Sequence, residues 1–384
     1  MTLAMHNVSR CWAEVDLDAL RENLAWIRHR VGPSVRIMTV VKADAYGHGL
    51  KQIAALLMQS GTDVFGVANL AEAQAIRSVG EGWPILMLGA ALPDEVELAV
   101  REDVMPTIST FEEAERFSAS ATKLKKRVRL HIKVDTGMGR LGAAPEEARQ
   151  LIERAARLPA TRIAGLYTHF AAVEDNAAFS RKQRRQFCQL HEALAKAGWE
   201  FEFLHANNSG GLLLERTSLF NTVRPGLLVY GITPSGTRAI PIAFKNHLRP
   251  ALSWKCRVSL VKEIRKGTPL SYGRTFVAPR RMRVATLTAG YGDGYLRAGS
   301  NRAEVLIGGL RCPVLGRITM DQMLADVSAL PGVSAGDEVV LIGRQGEESI
   351  SANDLAQSCG TVPWEVLTNI AYRVRRVYRG GSAA

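Results

Sequence analysis

The sequence predicts an α/β fold: a parallel (β/α)8 barrel of the TIM type followed by a smaller, mainly β domain. Three observations lead there. Eight short apolar runs alternate with amphipathic stretches between Arg36 and Tyr230, and the pattern changes to strands and tight turns after Asn246. The chain's 384 residues, 47% of them hydrophobic, are enough to bury one large core and one smaller one.

The eight runs are, in order, "RIMTVV", "VFGVA", "PILML", "MPTIS", "VRLHIKV", "RIAGLYT", "FEFLH" and "NTVR". Between them, stretches such as "GLKQIAALLMQSG" and "PEEARQLIERAARL" carry apolar residues at three- and four-residue steps with Gly or Pro at their ends, which predicts helices. An open doubly wound sheet shares this local alternation, but eight such units in roughly 200–250 residues favour a closed barrel. The barrel is assigned to residues 12–245. Beyond it, "LSWKCRVSLVKEI", "RRMRVATLTAGY", "AEVLIGGLRCPVLGRI", "DEVVLIG" and "RVRRVY" predict a strand-rich domain over 246–384, joined by residues 1–11. One helix is expected there, "SANDLAQSCG", opening on a Ser or Asn cap and ending at Gly360. The terminal "GGSAA" is expected to fray.

Composition excludes several classes. No apolar run approaches the roughly 18 residues of a membrane span, and Met1 to Arg10 lacks a secretory apolar stretch, so a cytoplasmic location without membrane contact is expected. Cys11, Cys188, Cys256, Cys312 and Cys359 are scattered without CxxC spacing, which argues against a disulfide framework and a zinc knuckle. The net charge of +12 gathers partly in "KLKKRVR" and "RKQRRQ". No aromatic residues interleave with these runs, so they read as solvated faces and no nucleic-acid partner is expected.

In a closed barrel, reactive groups stand where strands run into loops at the C-terminal rim. Strand one runs into Lys42, with Tyr46 and His48 behind it; strand five carries Lys133 and Asp135, then Arg140. Strand six ends in His169, strand seven in His205 with Asn208 and Ser209, and strand eight in Arg224. Four cations or potential cations thus converge on one opening, which suits a polyanionic ligand. A lysine closing a strongly apolar run has its ammonium paired or its pKa lowered by desolvation, and the lowered form is a nucleophile. The plainer alternative is a lysine that reaches out of the rim and pairs with Asp44. Gly47, Gly49, Gly210, Gly211 and Gly226 flank these groups, and glycine lets backbone N–H groups approach a phosphate. Spacing alone therefore ends at a barrel enzyme for an anionic, phosphorylated ligand.

The motifs carry the reading further. "VVKADAYGHG", "IKVDTGMGRLG", "THFA", "NNSGG", "VRPGLLVYG", "LSYGRTF", "GYGDGY" and "GRITMDQ", in that order, resemble the alanine racemase family. The resemblance runs from "WAEVDLDAL" at Trp12 to "YRVRRVY" at Tyr372. It implies a covalent link between Lys42 and pyridoxal 5′-phosphate, with Lys42 acting on the D-substrate face and Tyr272 on the L face. It implies a phosphate held by Tyr46, Ser209, Gly226 and Tyr372, with Asn208 and Leu227 in the same cofactor set. Arg224 would face the pyridine nitrogen, and His169 would stand at the ring or serve as a structural rim histidine. Arg140 and the backbone of Met320 would hold the substrate carboxylate. Lys133, often carbamylated in the family, would orient Arg140, and Asp321, Arg317 and Tyr291 would support the site. In the family the tyrosine reaches the site from the partner subunit, so a homodimer with shared active sites is expected, supplying D-alanine for peptidoglycan.

Two bases are needed because the α-proton leaves one face of a planar carbon and returns on the other. Lysine and tyrosine both titrate near pH 10 in water. Arg224, Arg140 and Lys133 are expected to supply the positive field that eases both to work near neutrality. The chain departs from the commoner family pattern at Asp44, Glu174, Thr319 and Arg375, none of which removes a catalytic group. The rival chemistry is a metal-dependent barrel hydrolase using His131, Lys133, His169 and His205, against which no HxH pair follows strand one; no metal is expected. A non-enzymatic cofactor carrier would not need "LSYGRTF" and "GRITMDQ", and a decarboxylase would not need the opposing tyrosine.

Overall fold

A computed structural model of the chain describes residues 9–214, 219–234 and 247–381. Residues 1–8 and 382–384 and the expected boundary at 245/246 lie outside the described residues. Two compact units are present. One comprises Ala19–Ala45 and Gly49–Arg249; the other comprises Met1–Asp18, Tyr46–His48 and Pro250–Ala384. The first strand, β1 (Cys11–Asp16), belongs to the second of these, so the division expected between residues 11 and 12 falls after Asp18.

The first unit is the barrel. Its strands are β2 (Arg36–Val40), β3 (Val64–Val67), β4 (Ile85–Met87), β5 (Val104–Ile108), β6 (Val128–Lys133), β7 (Thr161–Tyr167), β8 (Phe203–His205) and β9 (Thr222–Val223). All eight expected runs are strands, paired in parallel in the order β8-β7-β6-β5-β4-β3-β2-β9. Between β8 and β9 the ladder is replaced by Asn221: its Oδ1 accepts Leu204 N at 2.8 Å, and Arg224 N reaches Asn207 O at 2.9 Å just beyond. These two bonds link the chain at β8 to the chain at β9. Inside it, Met38, Val64, Leu86, Met105, Ala164 and Phe203 form a buried layer. Alternation along β6 turns His131 and Lys133 to the same side. A Cβ on Gly165 would lie 2.3 Å from His131 Nδ1, so only a residue without a side chain lets that imidazole lie against β7.

The helices around this ring follow the expected periodicity. Leu50–Gln59 buries Leu50, Ile53, Ala54, Leu56 and Leu57, and Pro145–Ala155 opens on a proline in its first turn and buries Ala148, Leu151, Ile152 and Ala155. Among the described residues, no helix is long and apolar enough to cross a membrane.

The second unit is a strongly curved antiparallel sheet. Its strands are β10 (Leu252–Ile264), β11 (Pro269–Leu270), β12 (Phe276–Val277), β13 (Met282–Leu287), β14 (Glu304–Ile307), β15 (Leu310–Leu315), β16 (Met323–Asp326), β17 (Glu338–Gln345), β18 (Glu348–Ile350) and β19 (Arg375–Arg379). Because β10 pairs with both β13 and β17, the series β10-β13-β16-β15-β14-β17 returns on itself. β1 extends it, antiparallel to β10 and parallel to β19. This is why β1 sits here: Ala13 and Val15 are fully buried, and Trp254 Nε1 donates to Cys11 Sγ at 3.1 Å. The run "AEVLIGGLRCPVLGRI" folds as the β14–β15 hairpin, turned by Gly308 and Gly309 at φ +57° and +79°, the left-handed pair that a tight hairpin requires. The expected helix spans Ala352–Cys359, with Ser351 and Asp354 forming a capping box and Gly360 closing it. All five cysteines are free thiols.

Candidate active site

Lys42 follows the end of β2, where Val41 N still donates to Gly66 O at 2.9 Å. The chain then turns left-handed. Ala43, Asp44, Ala45 and Tyr46 have φ of 53°, 55°, 52° and 53°, a conformation costing a non-glycine residue roughly 1–2 kcal/mol. Hydrogen bonds offset that cost: Ala45 N to Val41 O at 2.9 Å, Ala43 N to Glu72 Oε1 at 2.7 Å, and Leu50 N to Asp44 Oδ1 at 2.7 Å. Asp44 is therefore occupied with the start of the next helix and does not pair with Lys42, which overturns the plainer reading of that lysine. Burial, and secondarily the Arg140 guanidinium, hold the half-buried Lys42 amine below the ordinary lysine range, while Glu72 pulls the other way. Of Arg224, Arg140 and Lys133, the three cations expected to ease Lys42, Arg140 is the one that bears on it, second to burial.

Arg224, following β9, is buried, and its guanidinium organises the floor of the mouth. Nη1 bonds to His205 Nδ1 at 2.6 Å, and Nη2 donates to Thr168 O at 2.8 Å and Ala206 O at 3.0 Å, with His169 Nδ1 at 3.4 Å. Since arginine can only donate, His205 accepts at Nδ1 and carries its proton on Nε2, directed at His131 Nδ1 at 3.3 Å. Burial lowers the pKa of Arg224 to about 10, so it stays charged at neutral pH. His205 stacks on Tyr167 with centroids 4.6 Å apart, and the Tyr167 hydroxyl meets Thr107 Oγ1 at 2.6 Å. Burial raises the Tyr167 phenol to about 12 and lowers His131 to about 3, so both remain neutral.

Lys133, at the end of β6, is buried, donates to Val134 O at 2.8 Å and lies 5.5 Å over the Tyr167 ring. Burial first and Arg224 second bring its amine down to about 7, against the opposing pull of Asp135. Asp135 builds the loop that carries Arg140 by accepting Gly137 N, Met138 N and Gly139 N. Arg140 itself is exposed. Burial holds His169 well below its usual pKa, and Arg224, Lys133, Arg140 and Lys42 add to the effect in that order, so one imidazole registers all four cations.

Beyond β8, Asn208 is engaged with its own turn, receiving Gly211 N at 3.0 Å and donating to Phe170 O at 3.3 Å. Ser209 Oγ accepts Gly226 N at 2.9 Å and Leu228 N at 3.4 Å, gathering a hydroxyl and two backbone donors; Leu227 is buried in the same turn. Tyr46, buried, falls with the second unit, as does Tyr372, which is fully exposed. The four residues expected around the phosphate are thus divided two and two between the units.

The second unit carries the remaining candidates on its surface. Tyr272 is 72% exposed on the short turn Tyr272–Arg274, beneath which Ser271 Oγ donates to Arg317 O at 2.5 Å. Met320 is 54% and Tyr291 43% exposed. Their loops are tied by Gly292 N to Met320 O at 2.7 Å and Tyr291 N to Thr319 O at 3.0 Å. Arg373 bridges the buried Asp293 at 2.9 Å and Asp321 at 2.8 Å, so Asp321 supports this surface through Arg373.

Of the histidines of the rival metal site, His205 and His169 contact Arg224, whose fixed positive charge occupies the ground a divalent cation would need, and His131 meets His205. Among the described residues, no His, Cys, Asp and Glu cluster suits a metal. Sequence reasoning did not single out Tyr167, Thr107 or Glu72. The first two are ordinary strand residues until the barrel closes, and Glu72 showed only as an acid in the first turn of a helix.

Residues 15–234 match the family model "Alanine racemase, N-terminal domain" and residues 251–378 match "Alanine racemase, C-terminal domain". An alanine racemase of Symbiobacterium thermophilum is 42% identical over 373 residues, covering 97% of this chain and 98% of the relative. One from Halothermothrix orenii is 40% identical over 369 residues, 96% of each. Among solved structures, alanine racemase from D-cycloserine-producing Streptomyces lavendulae aligns with a TM-score of 0.92 at 32% identity over 98% of both chains. That from Bacillus anthracis with bound L-Ala-P gives 0.89 at 34% identity, over 98% of this chain and 97% of that one. With both domain models matched in order and relatives aligned along nearly their whole length, the chain belongs to the alanine racemase family.

Proposed function

We propose that the chain interconverts L- and D-alanine with pyridoxal 5′-phosphate joined to Lys42 and Tyr272 of a second copy as the opposing base. The observation that carries the reading is Lys42 itself: a half-buried amine at the mouth of a barrel, held below the lysine range by burial and Arg140. Burial and Arg140 thus favour the uncharged amine over the ammonium, and the uncharged amine is the form that attacks an aldehyde.

The residues present suit the cofactor. Ser209 Oγ, fixed by accepting from the backbone N–H groups of Gly226 and Leu228, keeps its own O–H to donate to a phosphate. Arg224 is a fixed cation able to face a ring nitrogen, and His169 is held neutral beside it. When bound, the cofactor supplies an electron sink that acidifies the α-hydrogen of the amino acid. Facing the pyridine nitrogen, the Arg224 cation would disfavour its protonation and so would limit that sink and side reactions such as transamination. Lys42 Nζ takes or returns the proton on the D face, and Tyr272 Oη does so on the L face. Arg140 and the Met320 N–H hold the substrate carboxylate, and Lys133 sets Arg140 in place. A Lys133 amine at about 7 is partly uncharged at neutral pH, the form that takes up carbon dioxide.

The exposure of Tyr272, Met320, Tyr291 and Tyr372 on one unit supports a homodimer in which each copy lends this surface to the other. Placed as the family resemblance implies, Met320 and Tyr372 would leave room for little more than a methyl side chain, which favours alanine as substrate and serine as the minor alternative. A cytoplasmic enzyme feeding D-alanine to peptidoglycan is the matching role, and a solved relative from Pseudomonas aeruginosa is described as biosynthetic. The test is an absorption spectrum of the purified protein, then deuterium exchange at the α-carbon of each enantiomer. A colourless protein that borohydride cannot trap on Lys42, or exchange confined to one enantiomer, contradicts the proposal.

A further inference from the structure

The helix Leu70–Arg77 begins with Asn69, whose side chain accepts Glu72 N at 3.0 Å. In a capping box the carboxylate at this position would turn back to the N-cap N–H. Glu72 goes elsewhere. Its Oε2 accepts Ala68 N at 2.7 Å, just past the end of β3, and its Oε1 accepts Ala43 N at 2.7 Å, just past the end of β2. The Ala43 N–H belongs to the peptide bond that leaves Lys42. One carboxylate therefore fastens the lysine's own peptide to the rim of the adjacent strand.

That peptide also opens the left-handed turn, whose four successive non-glycine residues would relax if nothing fixed their first amide. Resting on the proposed role of Lys42, the geometry points to Glu72 as a positioning residue for this lysine: it clamps the Lys42–Ala43 peptide to β3 and sets the direction in which the amine leaves the rim. The clamp is also a charge. Glu72 is the group that raises the proton affinity of Lys42 against burial and Arg140, so the same residue tempers how far the amine is depressed.

Glu72→Gln has one acceptor oxygen for two N–H groups and no charge. In the full-length chain freed of cofactor, the pH midpoint for trace acetylation of Lys42, read by mass spectrometry, is expected to move to lower pH in this variant. Its dissociation constant for pyridoxal 5′-phosphate is expected to rise about tenfold or more, the loss of a hydrogen bond to a charged group. Glu72→Asp keeps the charge but is too short to span both amides. Its midpoint should stay nearer the parent's while its affinity for the cofactor still falls. A folded Glu72→Gln with the parent's midpoint, or with unchanged affinity, overturns the assignment. If Glu72→Gln does not fold, unchanged affinity in Glu72→Asp overturns it instead. A parent chain that takes up no pyridoxal 5′-phosphate defeats the cofactor reading alone, because the acetylation midpoint still decides the part played by Glu72.

Discussion

The barrel mouth and the exposed face of the β unit carry chemistry in opposite ways. At the mouth, Arg224, His205, Tyr167 and Thr107 are buried and bonded to one another, so the groups that hold the cations in place also belong to the core. On the β unit, Tyr272 and Tyr372 stand out from loops whose backbones are fixed beneath them, exposed by 72% and 101%. The first arrangement couples chemistry to stability. The second separates them, which is what a surface completed by another copy requires.

This contrast can be broken or sharpened by substitution, beginning with the largest effect. Lys42→Ala removes the group on which everything else acts, and turnover should fall to background, a loss of at least about 10⁴-fold, with no borohydride-trapped cofactor. Tyr272→Phe should keep the yellow adduct and lose about 10²–10⁴-fold in α-proton exchange for one enantiomer. Its unfolding temperature should not move, since the hydroxyl lies on an exposed side chain; a large drop would erase the contrast.

At the mouth the coupling to stability appears in pH. Lys133 sheds its proton near 7 in the folded chain but near 10.5 once exposed. Between those values the unfolded chain binds more protons, so stability rises with pH, and below 7 the penalty is complete. Urea unfolding in carbon-dioxide-free buffer should show a gain from pH 7 to pH 9.5 that shrinks in Lys133→Met. Thr107→Val leaves the Tyr167 hydroxyl buried without its partner and should cost about 1–3 kcal/mol, read as a lower urea midpoint. Tyr372→Phe should fall within about 0.5 kcal/mol of the parent, as expected for an exposed position.

Much of this was legible in the sequence because its signals are local. Eight apolar runs, the Gly308–Gly309 turn, the Ser351 cap and the lysine ending a strand each depend on neighbours a few residues away. What escaped depends on closure. β1 falls inside the barrel span assigned from residue 12 because its partners in β10 lie more than two hundred residues downstream. His131 and His205 offer a rival metal site that the sequence weighs only by a missing HxH pair; the contacts of Arg224 with His205 and His169 appear once the barrel closes. Glu72 reads as a helix-start acid until Ala43 is found at its other oxygen. Tyr46 was placed with the barrel by its position in "VVKADAYGHG", whereas the left-handed turn carries it into the other unit.

The central claim, a lysine on one chain and a tyrosine on another sharing a single site, is tested most directly by complementation. Lys42→Ala and Tyr272→Phe chains, each unable to racemise alanine, are co-expressed and purified as a mixed assembly through different tags. Racemisation is expected to return to about half the parent's rate in the heterodimer, because one of its two sites then holds both intact bases. A purified heterodimer no more active than its parents would contradict it.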